Sequence, residues 1–217
     1  MQKPLFILYM ITLFLVVTFA LFIPLTNPLA GDDQSVALIQ TMESALNDIQ
    51  TMKGDFIFLD QDQQGRFFLR KPGKMRFEFA PYGQSDLYVA DGLMLHLYDP
   101  ETGGYNNTLI NQTPIGFLLD KTVNFEQDLK ILSVNQKRTD ETQMTLTLTR
   151  RQSPESGHIT LYFNRDPVHL TGWDIFDPLG QLTRVRFENV SYNTPIEAGL
   201  FTFNPPEISG PDAPSNR

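Results

Sequence analysis

His96, His158 and His169 are the only three imidazoles in the chain, and none lies within metal-site spacing of another. A zinc or other transition-metal site needs such ligands at short intervals, so no metal is expected. Histidine–carboxylate catalysis would need convergence from distant positions, and the simpler reading puts these rings on wet strand faces. Asp91, Asp99, Asp177 and Glu188 fall in turns or at outward strand positions, where an aspartate serves as a turn former. The chain has no Gly-x-Ser-x-Gly elbow, phosphate-binding loop or Gly-x-Gly-x-x-Gly fingerprint. With no cysteine there is no thiol nucleophile, disulfide, thiolate metal site or lipidated N-terminal cysteine. Lys53, Arg70, Lys71 and Lys74 form a modest basic group that reads as a solvated face. Three Asn-x-Ser/Thr triplets, at Asn106, Asn111 and Asn189, are short enough to arise by chance. No catalytic residue and no cofactor are expected.

The chain has 217 residues, 17 of them basic and 25 acidic, for a formal charge of −8. That balance argues against nucleic-acid binding, which concentrates Lys and Arg against phosphates. Charged residues make up 19% and apolar ones 41%, with 17 Phe against one Trp and seven Tyr, so a phenylalanine-rich interior has to be housed. Lys3 is the one charge ahead of an apolar run from Leu5 to Leu25, and Ala30 precedes a polar Gly31-Asp32-Asp33. This pattern predicts a secretory signal peptide over residues 1–30, with an uncleaved membrane anchor as the alternative because the run is long enough to span. Either reading exports the rest of the chain.

From Ser35 to Met52, apolar residues at Val36, Leu38, Ile39, Met42, Ala45, Leu46 and Ile49 keep helical spacing. Asp32, Asp33 and Ser35 offer an N-cap and Gly54 a stop. The period then becomes two. Phe56 and Phe58 alternate with Ile57 and Leu59, with Gly65 marking the hairpin turn, and Met75, Phe77 and Phe79 alternate with Lys74, Arg76 and Glu78. Leu93, Leu95 and Leu97, then Met144, Leu146 and Leu148, then Ile159, Leu161 and Phe163, then Val185 and Phe187 repeat the pattern. Turn chemistry such as Lys71-Pro72-Gly73, Asp91-Gly92, Gly103-Gly104 and Asp166-Pro167 separates them. Short strands at this spacing predict an antiparallel meander that curls into a sandwich or barrel. The rhythm breaks at Thr113-Pro114, where Ile115, Phe117, Leu118 and Leu119 predict a greasy helix running to Leu129, capped by Thr113. Such a helix in a sheet protein resembles a lid. Ser209 to Arg217 reads as a disordered tail.

The phenylalanines at 56, 58, 68, 77, 79, 117, 125, 163, 176, 187, 201 and 203 suggest more apolar wall than one helix covers. A curved sheet with that wall could enclose an apolar cavity.

The order Gly65-Arg-Phe-Phe-Leu-Arg-Lys-Pro-Gly-Lys-Met-Arg-Phe-Glu-Phe79, Val89-Ala-Asp-Gly92, Leu97-Tyr-Asp-Pro100, Thr113-Pro114 with Phe117-Leu-Leu119, Asp177-Pro-Leu-Gly-Gln181, Asn193 and Phe201-Thr-Phe-Asn-Pro-Pro206 resembles the outer-membrane lipoprotein carrier family (LolA). The likeness runs over roughly residues 35 to 208, within a domain of 31–208. It implies a mainly β (α+β) fold: an unclosed antiparallel β-barrel covered by the N-terminal helix and a short helical lid. It also implies a periplasmic chaperone that holds lipoprotein acyl chains in a hydrophobic cavity. Cargo would come from an inner-membrane ABC-type release complex and pass to an outer-membrane receptor, with no bond made or broken and the carrier a monomer.

On that resemblance the lipid-binding wall and lid comprise Phe56, Phe58, Phe68, Met75, Phe77, Phe79, Leu95, Leu97, Ile115, Phe117, Leu118, Leu146, Leu148, Leu161, Phe163 and Phe187, with Met75, Phe77 and Phe79 close to the entrance. The family often carries an arginine before the turn proline that latches the lid. Here Lys71 holds that place and Arg70 precedes it, so either could serve, and lysine lacks arginine's planar fork. A second reading is an envelope sensor or adaptor of the same shape, for which a retained leader would argue. A lipid or glycan hydrolase is a third, with only scattered carboxylates and histidines behind it.

Overall fold

The computed structural model describes residues 33–83, 85–136 and 143–204. The expected leader and tail lie outside the described residues, as does Asp32 of the expected N-cap.

Helix α1 spans Asp33–Asp48 and buries Met42 and Leu46. It ends four residues before the helix expected from the sequence, and Gly54 is not its stop. Met52 and Gly54 belong instead to the first strand. The cause is local capping: Lys71 Nζ donates to the carbonyl of Leu46 (2.8 Å), and Asn193 Nδ2 to that of Asp48 (3.0 Å). Asn193 Oδ1 accepts from the backbone N–H of Gln50 (2.8 Å), turning the chain into the sheet.

Eleven strands follow among the described residues: β1 (Thr51–Phe58), β2 (Gln63–Arg70), β3 (Lys74–Phe79), β4 (Leu87–Asp91), β5 (Met94–Asp99), β6 (Gly104–Leu109), β7 (Leu129–Gln136), β8 (Gln143–Arg150), β9 (His158–Arg165), β10 (Val168–Phe176) and β11 (Leu182–Tyr192). They form one antiparallel sheet in the order β6-β5-β4-β3-β2-β1-β11-β10-β9-β8-β7. The sheet is therefore unclosed, with β6 and β7 as its two edges. The chain that links those edges, residues 110–128, is the stretch expected to be a lid.

Registers place one apolar set on the inner face. Met52 pairs with Leu69, Leu69 with Met75, and Met75 with Ala90. Phe56 faces Phe187, Trp173 faces Val185 and Leu161, and Leu146 faces Leu161. Gly65 lies within β2 rather than at the hairpin turn, between Phe56 and Phe79. A Cβ there would sit 2.0 Å from the Glu78 carbonyl oxygen and 2.8 Å from the Phe56 ring, so the ring occupies the space a side chain would need.

Candidate functional site

The inner face is almost dry. Phe56, Leu146, Leu148, Ile159, Leu161 and Phe163 are all 0% exposed, and they belong to one continuous core with Met42 and Leu46 of α1. The β1–β3 side is aromatic: Phe56 touches the rings of Phe58, Phe77 and Phe79 at centroid distances of 5.2, 4.7 and 5.0 Å. Phe187 joins it, 4.5 Å from Phe67 and 4.7 Å from Trp173. Tilted and edge-on rings of this kind gain somewhat more than their buried area alone. The β8–β9 side is mostly aliphatic, built on Met144, Leu146, Leu148, Ile159 and Leu161.

Most of the sequence-selected wall residues come together here, and one does not. Phe68 faces outward, opposite Arg76, while its neighbour Phe67 takes the inward place opposite Phe77. The run Phe67-Phe68-Leu69 allows either alternation, and Leu69 and Gly65 settle it, since both share Phe67's face. Leu95 and Leu97 line the inner face of β5 opposite Ala90 and Tyr88, half-buried because β5 lies next to the edge. Phe176, Phe201 and Phe203, also counted towards the wall, lie elsewhere. Phe176 stacks on His158 and is 39% exposed. Phe201 packs outside the sheet beneath Arg70 (5.4 Å), and Phe203 stacks on His96 and Tyr105.

The cover is not the single helix expected over Thr113–Leu129. It is two 3-10 turns, Ile110–Gln112 and Gly116–Leu119, and one α turn, α2 (Phe125–Asp128). Thr113 donates its hydroxyl to the Ile110 carbonyl (2.7 Å) and so closes the first turn instead of capping a helix. Asn124 caps α2, accepting from the backbone N–H of Gln127 (2.9 Å). Ile115, Phe117, Leu118 and Leu119 are nonetheless 1–6% exposed and packed into the core. The interior is therefore filled by the cover and α1 rather than standing open, which corrects the expectation of a ready-made cavity.

Few hydrogen bonds hold this cover. The Asn47 amide bridges to Val123, donating to its carbonyl (3.0 Å) and accepting from its N–H (2.8 Å). Glu43 Oε1 accepts from the Phe125 N–H (3.0 Å), so α1 supplies these three bonds. Towards the sheet, the Gly73 N–H donates to the Leu119 carbonyl (2.7 Å), and the Ile110 N–H to that of Leu93 (3.0 Å). Lys71, beside Gly73, reaches α1 rather than the cover, and burial pushes its ammonium down to about 8 while the Asp120 carboxylate opposes that shift. Arg70 points to the outer face, so of the two basic residues Lys71 is the one beside helix and cover. Met75 lies two residues from Gly73. Phe79 stands four residues further along β3, roughly 13 Å from Met75 at the usual strand rise.

The polar candidates have structural duties. Asp91 Oδ1 accepts from the N–H groups of Leu93 and Met94 (both 2.9 Å). Its Oδ2 meets His96 Nε2 (3.0 Å), and although burial opposes it, these bonds hold the carboxyl near 2. Asp99 and Asp177 accept from N–H groups in their own turns. Sequence reading missed Phe67, Trp173 and Leu170 as inward residues, although Arg66 and Arg70, which share the face of Phe68, carried a signal for the first. In β10 a register shift between Leu170 and Gly172 breaks the alternation that would have revealed the last two.

The family model described as "Outer membrane lipoprotein carrier protein LolA" matches residues 47–204. An outer-membrane lipoprotein carrier protein of Chromohalobacter salexigens is 30% identical over 82% of this chain and 84% of its own. The protein of the same name from Methylococcus capsulatus is 27% identical over 76% of this chain and 82% of its own. A solved putative outer membrane lipoprotein-sorting protein domain from Vibrio parahaemolyticus superposes with a TM-score of 0.46 at 10% identity, covering 78% of this chain and 96% of its own. With its unclosed sheet, its apolar inner face and a match spanning most of its length, the chain belongs to the outer-membrane lipoprotein carrier (LolA) family.

Proposed function

We propose that this protein is a periplasmic, non-enzymatic carrier that takes up lipoprotein acyl chains against the inner face of its sheet, in place of the cover. One observation supports this reading above the others. The segment joining the two free edges of the sheet packs an apolar, buried face onto the core through Ile115 and Phe117 to Leu119, yet only a handful of hydrogen bonds tie it down. A segment of that kind can be displaced without breaking the strand ladder.

The magnitudes suit a carrier. Exposing Ile115, Phe117, Leu118 and Leu119 costs roughly 1.5–3 kcal/mol each, on the order of 6–12 kcal/mol together. Shielding acyl methylenes returns about 0.8 kcal/mol each, so roughly ten of them offset the opening. Loading and release then lie close to balance, and complete shielding of a long chain would hold it too tightly for hand-off. Cargo would come from an inner-membrane ABC-type release complex and go to an outer-membrane receptor, with the carrier acting as a monomer. Lys71 serves as the latch, fastening the β2–β3 turn to the end of α1 beside the cover.

Native mass spectrometry of the protein purified from the envelope of cells expressing the full chain tests this. Co-purifying lipid or lipopeptide is the expected result. A protein that carries none and extracts no lipoprotein from membranes contradicts the reading.

A further inference from the structure

Two adjacent arginines at the end of β8 have opposite fates. Arg151 is satisfied, its guanidinium donating to the carbonyls of Glu126 (3.0 Å) and Leu129 (2.8 Å). Arg150 has no hydrogen-bond or ion-pair partner among the described residues, and its Nε is enclosed with nothing to donate to. An enclosed, unpartnered guanidinium N–H is costly, because it has lost water without gaining an acceptor.

Arg150 borders a cavity of about 460 Å³ between the cover and the turns at Pro72-Gly73 and Gly92-Leu93. Lys121 and Asn111 border it as well, adding a second cation and a side-chain amide. Gly116 forms part of the wall: a Cβ there would stand 2.7 Å from an Arg150 terminal nitrogen, so the glycine gives the guanidinium its room. The one carboxylate in the lining is Asp120, which does not come within ion-pair distance of Arg150 among the described residues. Two cations therefore share the cavity with one acid, and the planar fork of Arg150 is the group that pairs bidentately with a tetrahedral oxyanion.

We propose that this cavity is an oxyanion site of the phosphate class, in which Arg150 supplies the fork, Lys121 a second charge and Asn111 an amide donor, set beside the cover rather than within the apolar interior. The anion could be inorganic phosphate or the phosphodiester of a phospholipid headgroup; the chemistry required of the site is the same. The inference concerns the protein with its cover in place and does not require acyl carriage; because Asn111, Gly116, Asp120 and Lys121 belong to the cover, loading that displaces it would dismantle the site.

The test is a ³¹P NMR titration of the protein purified from cells expressing the full chain, with inorganic phosphate in one arm and soluble short-chain phosphatidylglycerol in the other. Arg150→Gln should weaken binding about tenfold or more, and Lys121→Gln a few-fold, in line with loss of charge-assisted hydrogen bonds. Asp120→Asn should strengthen it, because a competing carboxylate is gone. Arg165→Gln, an exposed residue at the opposite end of the β8–β9 pair, should change nothing. Equal weakening in both arms identifies the free anion, and weakening in the lipid arm alone identifies the headgroup. Lys121 is exposed, so its variant decides the matter even if Arg150→Gln folds poorly. Wild-type protein that binds neither probe, or affinities unmoved by Lys121→Gln and Asp120→Asn, would overturn the proposal. Binding of an uncharged lipopeptide, measured in parallel, separates that failure from a failure of the carrier reading.

Discussion

The inner face of the sheet and the apolar face of the cover that lies on it are both buried but differently built. The wall's side chains sit on strands whose backbone groups are paired on both sides, from Leu69 and Met75 to Leu146 and Leu161. The cover presents Phe117, Leu118 and Leu119 from isolated turns whose hydrogen bonds to the rest of the molecule are few and divided between α1 and the strand ends. Burial alone thus does not indicate permanence. A dry side chain on a paired strand is structural, whereas one on a loosely tied turn can be exchanged for something else of the same oiliness.

That contrast is sharpest at Phe67. Truncation to alanine removes a ring packed against Phe77 and Phe187 and is expected to cost about 3–5 kcal/mol of global stability, read as a shift in denaturant midpoint. A loss below about 1 kcal/mol would mean that the wall is as yielding as the cover. Leu118→Asp should act on the other side of the comparison. A charge in that dry position is expected to release the 110–128 segment while the sheet stays folded, seen as faster amide exchange in the cover alone and tighter lipid binding, because cargo no longer has to displace a docked cover. Exchange that accelerates across β8 and β9 as well would break the distinction.

Lys71, beside the cover, carries a pH signature. Burial lowers its proton affinity, to about 8 from the usual 10.5, so between those values the unfolded chain binds more protons than the folded one. Stability contributed by this residue must then rise as pH climbs through about 8 towards the ordinary lysine range. Denaturant midpoints at pH 7.5 and 9.5 should show that rise in the wild type and lose it in Lys71→Arg, whose guanidinium does not titrate. At the upper limit Tyr88 and Tyr192, both pushed up to about 12 by burial, have only begun to titrate in the unfolded chain, and their opposing effect is small. The smallest effect is expected at Phe68, on the outer face. Its alanine variant should cost under about 1 kcal/mol and leave lipid binding unchanged.

Much of the fold was legible in the sequence, because a strand with one dry face alternates strictly. Met75-Arg-Phe77-Glu-Phe79 and Met144-Thr-Leu146-Thr-Leu148 can be read by eye. The unread strands have physical reasons. β6 is Gly-Tyr-Asn-Asn-Thr-Leu, an exposed edge with almost nothing to bury, and β10 shifts register at Gly172. Two consecutive phenylalanines at 67 and 68 leave the alternation ambiguous until the rest of the strand is read, Gly65 and Leu69 on one face and Arg66 and Arg70 on the other. The cover misled for a different reason. Helical spacing over Ile115 to Leu119 describes which side chains are buried, and a pair of tight turns buries the same ones without a helix. The site was legible as a set of apolar residues, but its filling was not, since no periodicity says whether an apolar face meets a ligand or the protein's own loop. Arg150 was invisible to sequence reading, because only its missing partner distinguishes it from Arg151.

The most direct measurement loads the protein with a lipopeptide whose acyl chain carries a photoreactive diazirine near its end, irradiates it, and maps the adducts by mass spectrometry. The account predicts adducts on inward residues such as Phe56, Phe77, Leu146 and Leu161, with the cover's amides deprotected in the loaded protein. Adducts confined to outward or exposed residues such as Phe68, Leu59 or Leu179, with the cover still protected, would contradict it.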